Sequence, residues 1–214
     1  MSLISMVFIT QDLTEIFLNK ETIEPIDDAD INDFNRDDNS GASNYLHVGK
    51  QLLGRFESYM KFKIPSKPKS IMKATIKTYW YSIMCDSWLT VKACIVSNHW
   101  NEKNLTWNDA PSHGLEITSE EITDDTEFNI DITDYINDSG DFSICIFEQS
   151  PYCTHGLQSA SDEGERSNSP RLVIQYQGIS MELTIFIFSL LLIILGFAIL
   201  VKYVSLDKQS LYIK

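Results

Sequence analysis

The chain has 214 residues, enough for one full domain with a sizeable hydrophobic core and a little more. Apolar and aromatic residues occur in the proportions of a globular protein, and glycine and proline are scarce. The formal net charge is −13, and because nucleic acids bind cationic surfaces, this charge argues against a nucleic-acid-binding protein.

The N-terminal segment, residues 1–22, has no decisive pattern. Residues 1–22 fit a short amphipathic helix or a strand that leads into the domain. Their run MSLISMVFIT lacks the basic n-region and the small-residue cleavage site of a signal peptide. Three explanations stay open: a start further upstream, a weak export signal, or a cytosolic domain anchored by its tail.

An acidic segment follows, IDDADINDFNRDDNSG at residues 26–41. Calcium prefers oxygen ligands of this kind and tolerates irregular geometry, so the segment is a candidate calcium site. The candidate ligands are Asp27, Asp28, Asp30, Asp37, Asp38 and Asn39. Their spacing does not match an EF-hand loop, and a solvated loop with Asx turns is the preferred interpretation. Calcium is the one cofactor that the sequence suggests.

The next segments alternate between apolar and polar residues, which is the period of a strand with one buried face. They are NYLHVG (44–49), FESYMKFKI (56–64) and SIMKATIKTYWYSIM (70–84). The apolar set, including Met60, Phe62, Ile76 and Trp80, is predicted to face the core, and the polar set to face solvent. The proline-containing PSKPKS between the last two is a turn. WLTVKACIVS (88–97) is predicted to be the hairpin partner of residues 70–84.

The polar faces of residues 56–64 and 70–84 hold the basic region of an otherwise acidic domain. On adjacent antiparallel strands the lysines would form a row with tyrosines between them, a surface suited to an acidic polysaccharide. The candidate ligand-binding residues are Tyr59, Lys61, Lys63, Lys73, Lys77 and Tyr79, with Lys67 and Lys69 in the turn. An ordinary wet sheet face is the preferred interpretation.

A segment with two tryptophans, HWNEKNLTWNDAP, occupies residues 99–111. Indole rings are equally suited to stacking on a sugar ring at the surface and to filling space in the hydrophobic core. Side-chain amides that hydrogen-bond to the backbone, together with the closing proline, favour a loop that is held by its own contacts. We therefore predict a structural role for this segment and not a binding role. Glu102 and Asp109 do not qualify as a glycosidase pair, because nothing in the sequence places them across a cleft.

The remaining segments, EFNIDIT (127–133), DFSICIFE (141–148) and RLVIQYQ (171–177), also fit strands, and residues 159–170 fit an exposed loop. Many strands joined by turns instead of crossover helices indicate an all-β fold. We predict an antiparallel β-sandwich with jelly-roll topology over residues 23–178.

The C-terminal segment LTIFIFSLLLIILGFAILV, residues 183–201, contains no charged residue. As a helix it would span roughly 28 Å, close to the hydrocarbon thickness of a bilayer. A soluble helix of this length would show a polar stripe, so we predict a transmembrane helix. Residues 202–214 contain three lysines and are predicted to form a short cytoplasmic tail, which places the domain outside the cell.

The four cysteines leave their pairing open. In the predicted hairpin Cys94 lies away from Cys85, whereas Cys145 and Cys153 are able to meet across a loop, and a cross-pairing is a further alternative. Buried free thiols are the preferred interpretation. No spacing of cysteines and histidines resembles a zinc knuckle.

Six segments in this order resemble a known family: DADI, DDNSGASNYLHVG, ESYMKFKIPS, WNEKNLTWNDAP, FNIDITDYI and SPRLVIQY. They resemble the DNRLRE-type, or disaggregatase-related, domain, which is also classed as carbohydrate-binding module family 96. The resemblance covers residues 25–177, and its structural signature here is Trp100, Glu102, Trp107, Pro111, Pro170 and Arg171. The arginines that name the family are absent from Glu57-Ser58-Tyr59-Met60-Lys61-Phe62, so no role is carried over from them. The resemblance implies a β-sandwich on cell-surface or secreted proteins of bacteria and archaea, commonly an accessory to polysaccharide-active enzymes.

These observations favour a non-catalytic cell-surface module, held by one membrane helix, that binds glycan or another cell-envelope polymer. A structural or adhesive protein that binds protein partners by edge-strand pairing is the first alternative. A polysaccharide-degrading enzyme is disfavoured because the sequence offers no recognisable nucleophile, base or metal constellation. A cytosolic tail-anchored adaptor is the last alternative.

Overall fold

The structure is a computed structural model, and it describes residues 19–51, 54–66, 71–82, 89–122, 125–136, 138–149, 156–162, 168–176, 185–186, 188–199 and 202. The chain divides into two compact units. One is Lys20–Tyr176, and the other combines Met1–Asn19 with Gln177–Lys214. Predictions for residues 1–18, Lys67, Lys69, Cys85 and Cys153 lie outside the described residues.

Eleven strands and one short 3-10 helix are described within residues 19–176. The strands are β1 (Asn19–Ile23), β2 (Asp27–Asn32), β3 (Tyr45–Gln51), β4 (Gly54–Ile64), β5 (Ile71–Ser82), β6 (Leu89–Val96), β7 (Glu116–Ile122), β8 (Thr126–Asp131), β9 (Gly140–Glu148), β10 (Gly156–Ala160) and β11 (Arg171–Tyr176). The 3-10 helix is Thr133–Tyr135. The alternating sequence pattern accounts for strands such as β4 and β5, because a period of two places apolar side chains on one face of an extended chain.

The strands form two layers with a shared core. In the first layer, β5 lies between β8 and β11. In the second, β9 lies between β4 and β6, β7 flanks β6, and β2 and β3 both pair with β4. Strand β10 pairs with β3 and with the end of β5, which joins the layers. All these pairings are antiparallel, so the predicted antiparallel sandwich is confirmed, and jelly-roll connectivity stays a prediction.

The core lies between the layers and contains the residues that alternation predicted to face inward. Met60, Phe62, Ile76 and Trp80 are all fully buried there. The indole Nε1 of Trp80 donates a hydrogen bond to Thr78 Oγ1 at 2.6 Å, so this buried donor is satisfied.

The predicted hairpin between residues 70–84 and 88–97 is wrong. Strand β5 pairs with β8, β10 and β11, whereas β6 pairs with β7 and β9. In β-sandwiches, strands that are consecutive in sequence often belong to opposite sheets, because each strand takes the position in which its apolar face is buried in the core. Closeness in sequence therefore did not decide the pairing.

The outer face of β4 is not the wet surface that alternation suggested. Glu57, Tyr59 and Lys61 are 6%, 1% and 4% exposed. The loop of residues 97–115 covers this face, and it forms a second apolar cluster with residues of β4 and of the neighbouring strands β2, β6 and β9. Its members are Ala29, Ile31, Tyr59, Cys94, Val96, Trp100, Leu105 and Cys145. The prediction that the acidic segment is wholly a loop is also wrong, because the first part of that segment is strand β2.

Side-chain bonds between distant segments hold this cover in place. Asn39 Nδ2 donates to the main-chain oxygens of Glu102 and Leu105 at 2.5 and 2.8 Å. The amide of Glu102 donates to Asp27 Oδ1 at 3.2 Å. A Cβ atom at Gly41 would overlap with the Glu102 carbonyl, so this close approach requires glycine.

In the second unit, residues 185–186 and 188–199 are helical and their side chains are exposed. The hydroxyl of Ser189 donates to the main-chain oxygen of Ile185 at 2.7 Å. Within the part of the chain that the structure describes, no helix meets the length and hydropathy needed to cross a membrane.

Candidate functional site

A polar groove of about 220 Å³ lies on the outer face of the first layer. Its walls come from β5, from β8 and from the residues that lead into β11. They include Lys77, Tyr79, Glu127, Asn168, Ser169 and Arg171. Alternation places these strand residues opposite the core residues Ile76 and Trp80, so they face outward together.

The strand register brings two cations together in this groove. Arg171 lies directly opposite Lys77 on adjacent strands, and Tyr79 lies opposite Glu127 on the other side. Lys77 Nζ and Glu127 Oε1 are 2.8 Å apart. The hydrogen bond from Lys77 lowers the pKa of the Glu127 carboxyl, which therefore stays ionised. Two cations share the groove with one carboxylate among its described walls.

Half of the candidate ligand-binding residues lie on this face. Lys73, Lys77 and Tyr79 follow one another on the outside of β5, and Lys73 is exposed. Tyr59, Lys61 and Lys63 lie on β4 in the other layer. Because β4 and β5 are not paired, the single row of lysines predicted for adjacent strands does not form.

The two lysines among the β4 candidates pair with carboxylates of the domain itself. Lys61 Nζ lies 2.8 Å from Asp27 Oδ2, donates to the Trp100 carbonyl, and lies 4.6 Å from the centre of the Trp100 ring. Lys63 is exposed and pairs with Asp141 at 2.7 Å. These lysines stabilise the fold in two different environments.

Tyr59 is likewise an internal residue. Its hydroxyl donates to the Pro111 carbonyl at 3.2 Å, and its ring meets the Trp100 ring edge-on with the centroids 5.9 Å apart. Burial raises the pKa of the Tyr59 phenol. A stacking role toward a ligand is therefore closed to this ring in the described conformation.

The structure does not bring the six candidate calcium ligands together. Asp28 Oδ2 accepts from the Asp162 amide at 2.9 Å, and Asp30 Oδ2 lies 2.5 Å from His47 Nδ1. Asp27 pairs with Lys61, as described above. These three carboxylates therefore bond to separate partners along β2.

The other three candidates lie in the loop that follows β2. Asp37 Oδ1 accepts a hydrogen bond from Asn108 Nδ2 at 2.8 Å, and Asp38 is exposed. Asn39 donates to the main chain of the loop of residues 97–115. Among the described residues, no three of the five candidate carboxylates lie within metal-binding distance of one another. Calcium binding stays a prediction.

The two tryptophans of residues 99–111 lie in the cover of β4. Trp100 is 9% exposed, and Trp107 is half-buried against the second apolar cluster. Pro111 contributes the carbonyl that accepts from Tyr59. Of the other signature residues, Pro170 is buried and Arg171 lines the polar groove.

A cluster of Glu57, His113 and Cys145 was missed in the sequence. His113 Nε2 lies 2.8 Å from Glu57 Oε2, and Cys145 Sγ lies 3.7 Å from the same nitrogen and 4.0 Å from Glu57 Oε2. Cys94 stands directly opposite Cys145 on the paired strands β6 and β9. We refer to these four residues as the thiol–imidazole cluster. They come from four separate segments, so no spacing in the sequence signals them.

The groups of this cluster perturb one another. The hydrogen bond with Glu57 raises the pKa of His113, and the hydrogen bond with Cys145 lowers the pKa of Cys94 to about 7. Burial raises the pKa of the Cys145 thiol. A groove of about 310 Å³, with Trp107 and Pro111 in its walls, opens at Glu57 and His113. Such a set is able to bind a metal ion or exchange protons.

A sequence model of carbohydrate-binding module family 96 matches residues 19–176. The chain belongs to carbohydrate-binding module family 96. This match confirms the resemblance carried by the six segments, and the two layers described above are the fold of this module. No curated protein matches the chain.

Two solved structures show distant similarity to the module. One is a family two carbohydrate esterase from Cellvibrio japonicus, with 13% identity over 75% of this chain and a TM-score of 0.30. The match covers 35% of the esterase, so the chain corresponds to about a third of that protein. The other is the C-terminal CBM6 of LamC, a marine laminarinase from Zobellia galactanivorans, with 8% identity over 73% of this chain, 99% coverage of that chain and a TM-score of 0.24. Both scores are too low to establish a shared fold.

Proposed function

We propose that this family 96 module binds an acidic polysaccharide without cleaving it, and that the polar groove is its binding site. The observation that carries the proposal is the pairing of Lys77 with Arg171 across β5 and β11. Glu127 balances one of these two positive charges, so the described walls keep a net positive charge that attracts an anionic ligand.

The chemistry of the groove fits a chain of uronic acids. An arginine guanidinium binds a carboxylate through two parallel hydrogen bonds, and a lysine ammonium adds a second positive charge. The ring of Tyr79 offers an apolar face beside them. Amide and hydroxyl groups of Asn168 and Ser169 are of the kind that bond sugar hydroxyls.

Local charge outweighs the charge of the whole domain here. Residues 1–180 carry 28 acidic and 14 basic side chains, a net charge of −14 that repels polyanions. Selective binding of an acidic glycan therefore requires a cationic groove, and the outer face of β5 supports one with Lys73 beside it.

The groove also supports a non-catalytic role. Glycoside hydrolysis uses two carboxylates on either side of the scissile bond. Among the described walls of this groove, Glu127 is the one carboxylate, and it is paired with Lys77. Adhesion by edge-strand pairing is the weaker candidate, because exposed Glu120 and Glu121 on the outer strand β7 oppose addition of another strand.

We further propose that residues 183–201 anchor the module in a membrane, with the domain outside the cell and residues 202–214 in the cytoplasm. The uncharged sequence and the lysines that follow it support this arrangement. External protease on intact cells with a C-terminal tag should remove the domain and leave the tag. A domain that resists until the membrane is opened would refute the orientation.

Glycan binding is tested by affinity electrophoresis of the full chain, purified in non-ionic detergent, through gels that contain polygalacturonate or dextran. We expect retardation by polygalacturonate alone, weakened by salt. Arg171→Gln and Lys77→Gln should each reduce the affinity about tenfold, the effect of one charge-assisted contact.

The matched control is Lys63→Gln, which removes the same charge from an exposed lysine on the other layer. It should leave retardation unchanged. Equal losses in all three variants would mean that net charge governs migration and would contradict the assigned groove. Retardation by dextran at the same strength would contradict the acidic-glycan proposal.

A further inference from the structure

The thiol–imidazole cluster has no part in the proposed glycan groove, which lies on the other layer. Its ligand-bearing atoms nevertheless converge at one point. Glu57, His113 and Cys145 present one oxygen, one nitrogen and one sulfur, all within 4.8 Å of one another. The Glu57 side chain is 8% exposed and Cys145 is fully buried.

The distances between these atoms are close to those around a tetrahedral zinc ion. With ordinary zinc–ligand bond lengths, the sulfur and nitrogen lie about 3.6 Å apart and the nitrogen and oxygen about 3.3 Å apart. The observed sulfur–nitrogen distance is 3.7 Å, and the nitrogen–oxygen distance is 2.8 Å. The Cys145 sulfur lies 4.0 Å from Glu57 Oε2, so tetrahedral binding requires side-chain shifts of about 0.5 Å among these three residues and a movement of the Cys94 thiol toward them.

A second thiol lies next to Cys145, outside the group of three whose atoms lie within 4.8 Å of one another. Cys94 faces Cys145 across paired strands, and the two thiols are hydrogen-bonded. Residues opposite each other on antiparallel strands project from the same face. Both sulfurs therefore lie on the covered face of the second layer, with His113 and Glu57.

The surroundings of the cluster also fit a metal ion. The His113 side chain is 34% exposed and lies at the groove with Trp107, which gives an ion access from solvent. Its ring stacks on Phe147 at a centroid distance of 4.1 Å, which fixes the ring orientation. Tyr59 Oη lies 3.5 Å from Glu57 Oε2, so a buried polar group borders this carboxylate.

We propose that Cys94, Cys145, His113 and Glu57 form a binding site for a thiophilic divalent metal ion of the zinc type. The ligand set of two thiolates, one imidazole and one carboxylate is the soft and borderline set that zinc selects over calcium or magnesium. Binding displaces the protons of both thiols, and the ion compensates the negative charge that the cluster would otherwise bury. This proposal does not rest on the glycan-binding proposal.

The test is a titration of the reduced full chain with Co²⁺, a spectroscopic substitute for zinc. We expect one equivalent to produce a thiolate-to-cobalt charge-transfer band and the visible bands of tetrahedral cobalt, both abolished by excess Zn²⁺. Zn²⁺ should also raise the unfolding temperature, because an ion that binds only the folded state stabilises it.

Two variants with a matched control locate the site. His113→Gln and Cys94→Ser should weaken cobalt binding at least tenfold, and Cys94→Ser should reduce the charge-transfer intensity. His99→Gln is the control, because His99 is an exposed histidine that bonds to Ser97. It should bind cobalt as the wild type does.

Three results would overturn the proposal. The first is a reduced, folded wild-type chain without cobalt bands. The second is unchanged binding by His113→Gln, which would place the ion elsewhere. The third is a Cys94–Cys145 disulfide in freshly isolated protein, seen by mass spectrometry without reductant, which would make this pair a covalent crosslink. Polygalacturonate retardation is unaffected by any of these results, so this proposal and the glycan proposal fail separately.

Discussion

The outer faces of β4 and β5 carry similar side chains but lie in different surroundings. On β4, Tyr59 and Lys61 are buried beneath the loop of residues 97–115, with β2 paired beside them in the sheet. On β5, Lys73 is exposed, and Lys77 and Tyr79 border an open polar groove. The same residue types therefore hold a cover in place in one layer and form a ligand-accessible surface in the other.

This difference shows that the role of a lysine on the sheet depends on whether another segment packs over it and removes it from water. A buried ammonium group is tolerated only when a carboxylate and other acceptors surround it, as Asp27 and the Trp100 carbonyl do for Lys61. A partly exposed ammonium group needs no such set, because solvent and the single carboxylate of Glu127 suffice for Lys77.

The inner faces of β4 and β5 should have equal importance, because they share one core. Phe62→Ala and Trp80→Ala should each lower the free energy of unfolding by about 3–5 kcal/mol through lost burial and cavity formation. Denaturant titration measures the effect. Phe34→Ala, at a side chain that is 69% exposed, should cost less than about 0.5 kcal/mol. A large effect at only one of the two core positions would mean that the layers do not share the core.

The outer faces should differ when the same substitution is made on each. Lys61→Met should lower the free energy of unfolding by about 3 kcal/mol, because Asp27 is left as an uncompensated, mostly buried charge. Lys77→Met should cost less than about 0.5 kcal/mol, because Lys77 and Glu127 are both partly solvated. Adding Asp27→Asn to Lys61→Met should recover part of the loss. Equal costs for the two lysines would contradict the contrast between the faces.

The loop of residues 97–115 should pack less stably on β4 when the side chain of Asn39 is removed. Asn39→Ala should cost about 1 kcal/mol, because the Glu102 and Leu105 carbonyls lose their donor. Amide hydrogen exchange should accelerate in residues 97–115 and stay unchanged on β5. Asn35→Ala, in the same exposed loop, is the control, and equal acceleration in that variant would refute the anchoring role.

The smallest effect should be a pH dependence of stability that comes from the Lys77–Glu127 pair on the outer face of β5. Lys77 lowers the pKa of Glu127, so the stabilisation from this pair is present above the carboxyl's unfolded pKa and is lost as pH falls through its lower folded pKa. Lys77→Met should therefore raise the pKa of Glu127 toward its ordinary value in an NMR titration. An unchanged pKa would show that Lys77 is not the cause of the shift.

Much of the module was predictable from local patterns. Alternation identified Met60, Phe62, Ile76 and Trp80 as core residues, and the order of six segments identified the family. The pairing of β6 was not predictable, because a strand's neighbours depend on where distant apolar faces meet. Arg171 was expected only as part of the structural signature, whereas the register of β11 places it opposite Lys77.

The sequence by itself determined which side chains share a face, because a period of two is a local steric property of extended backbone. It also determined the acidic balance and the uncharged segment at residues 183–201. Only the tertiary structure decided which faces are covered and which distant residues meet. The cover over Lys61 and the convergence of Glu57, His113 and Cys145 both require segments far apart in the chain. Contacts of that kind depend on the packing of the whole domain, so no local spacing encodes them.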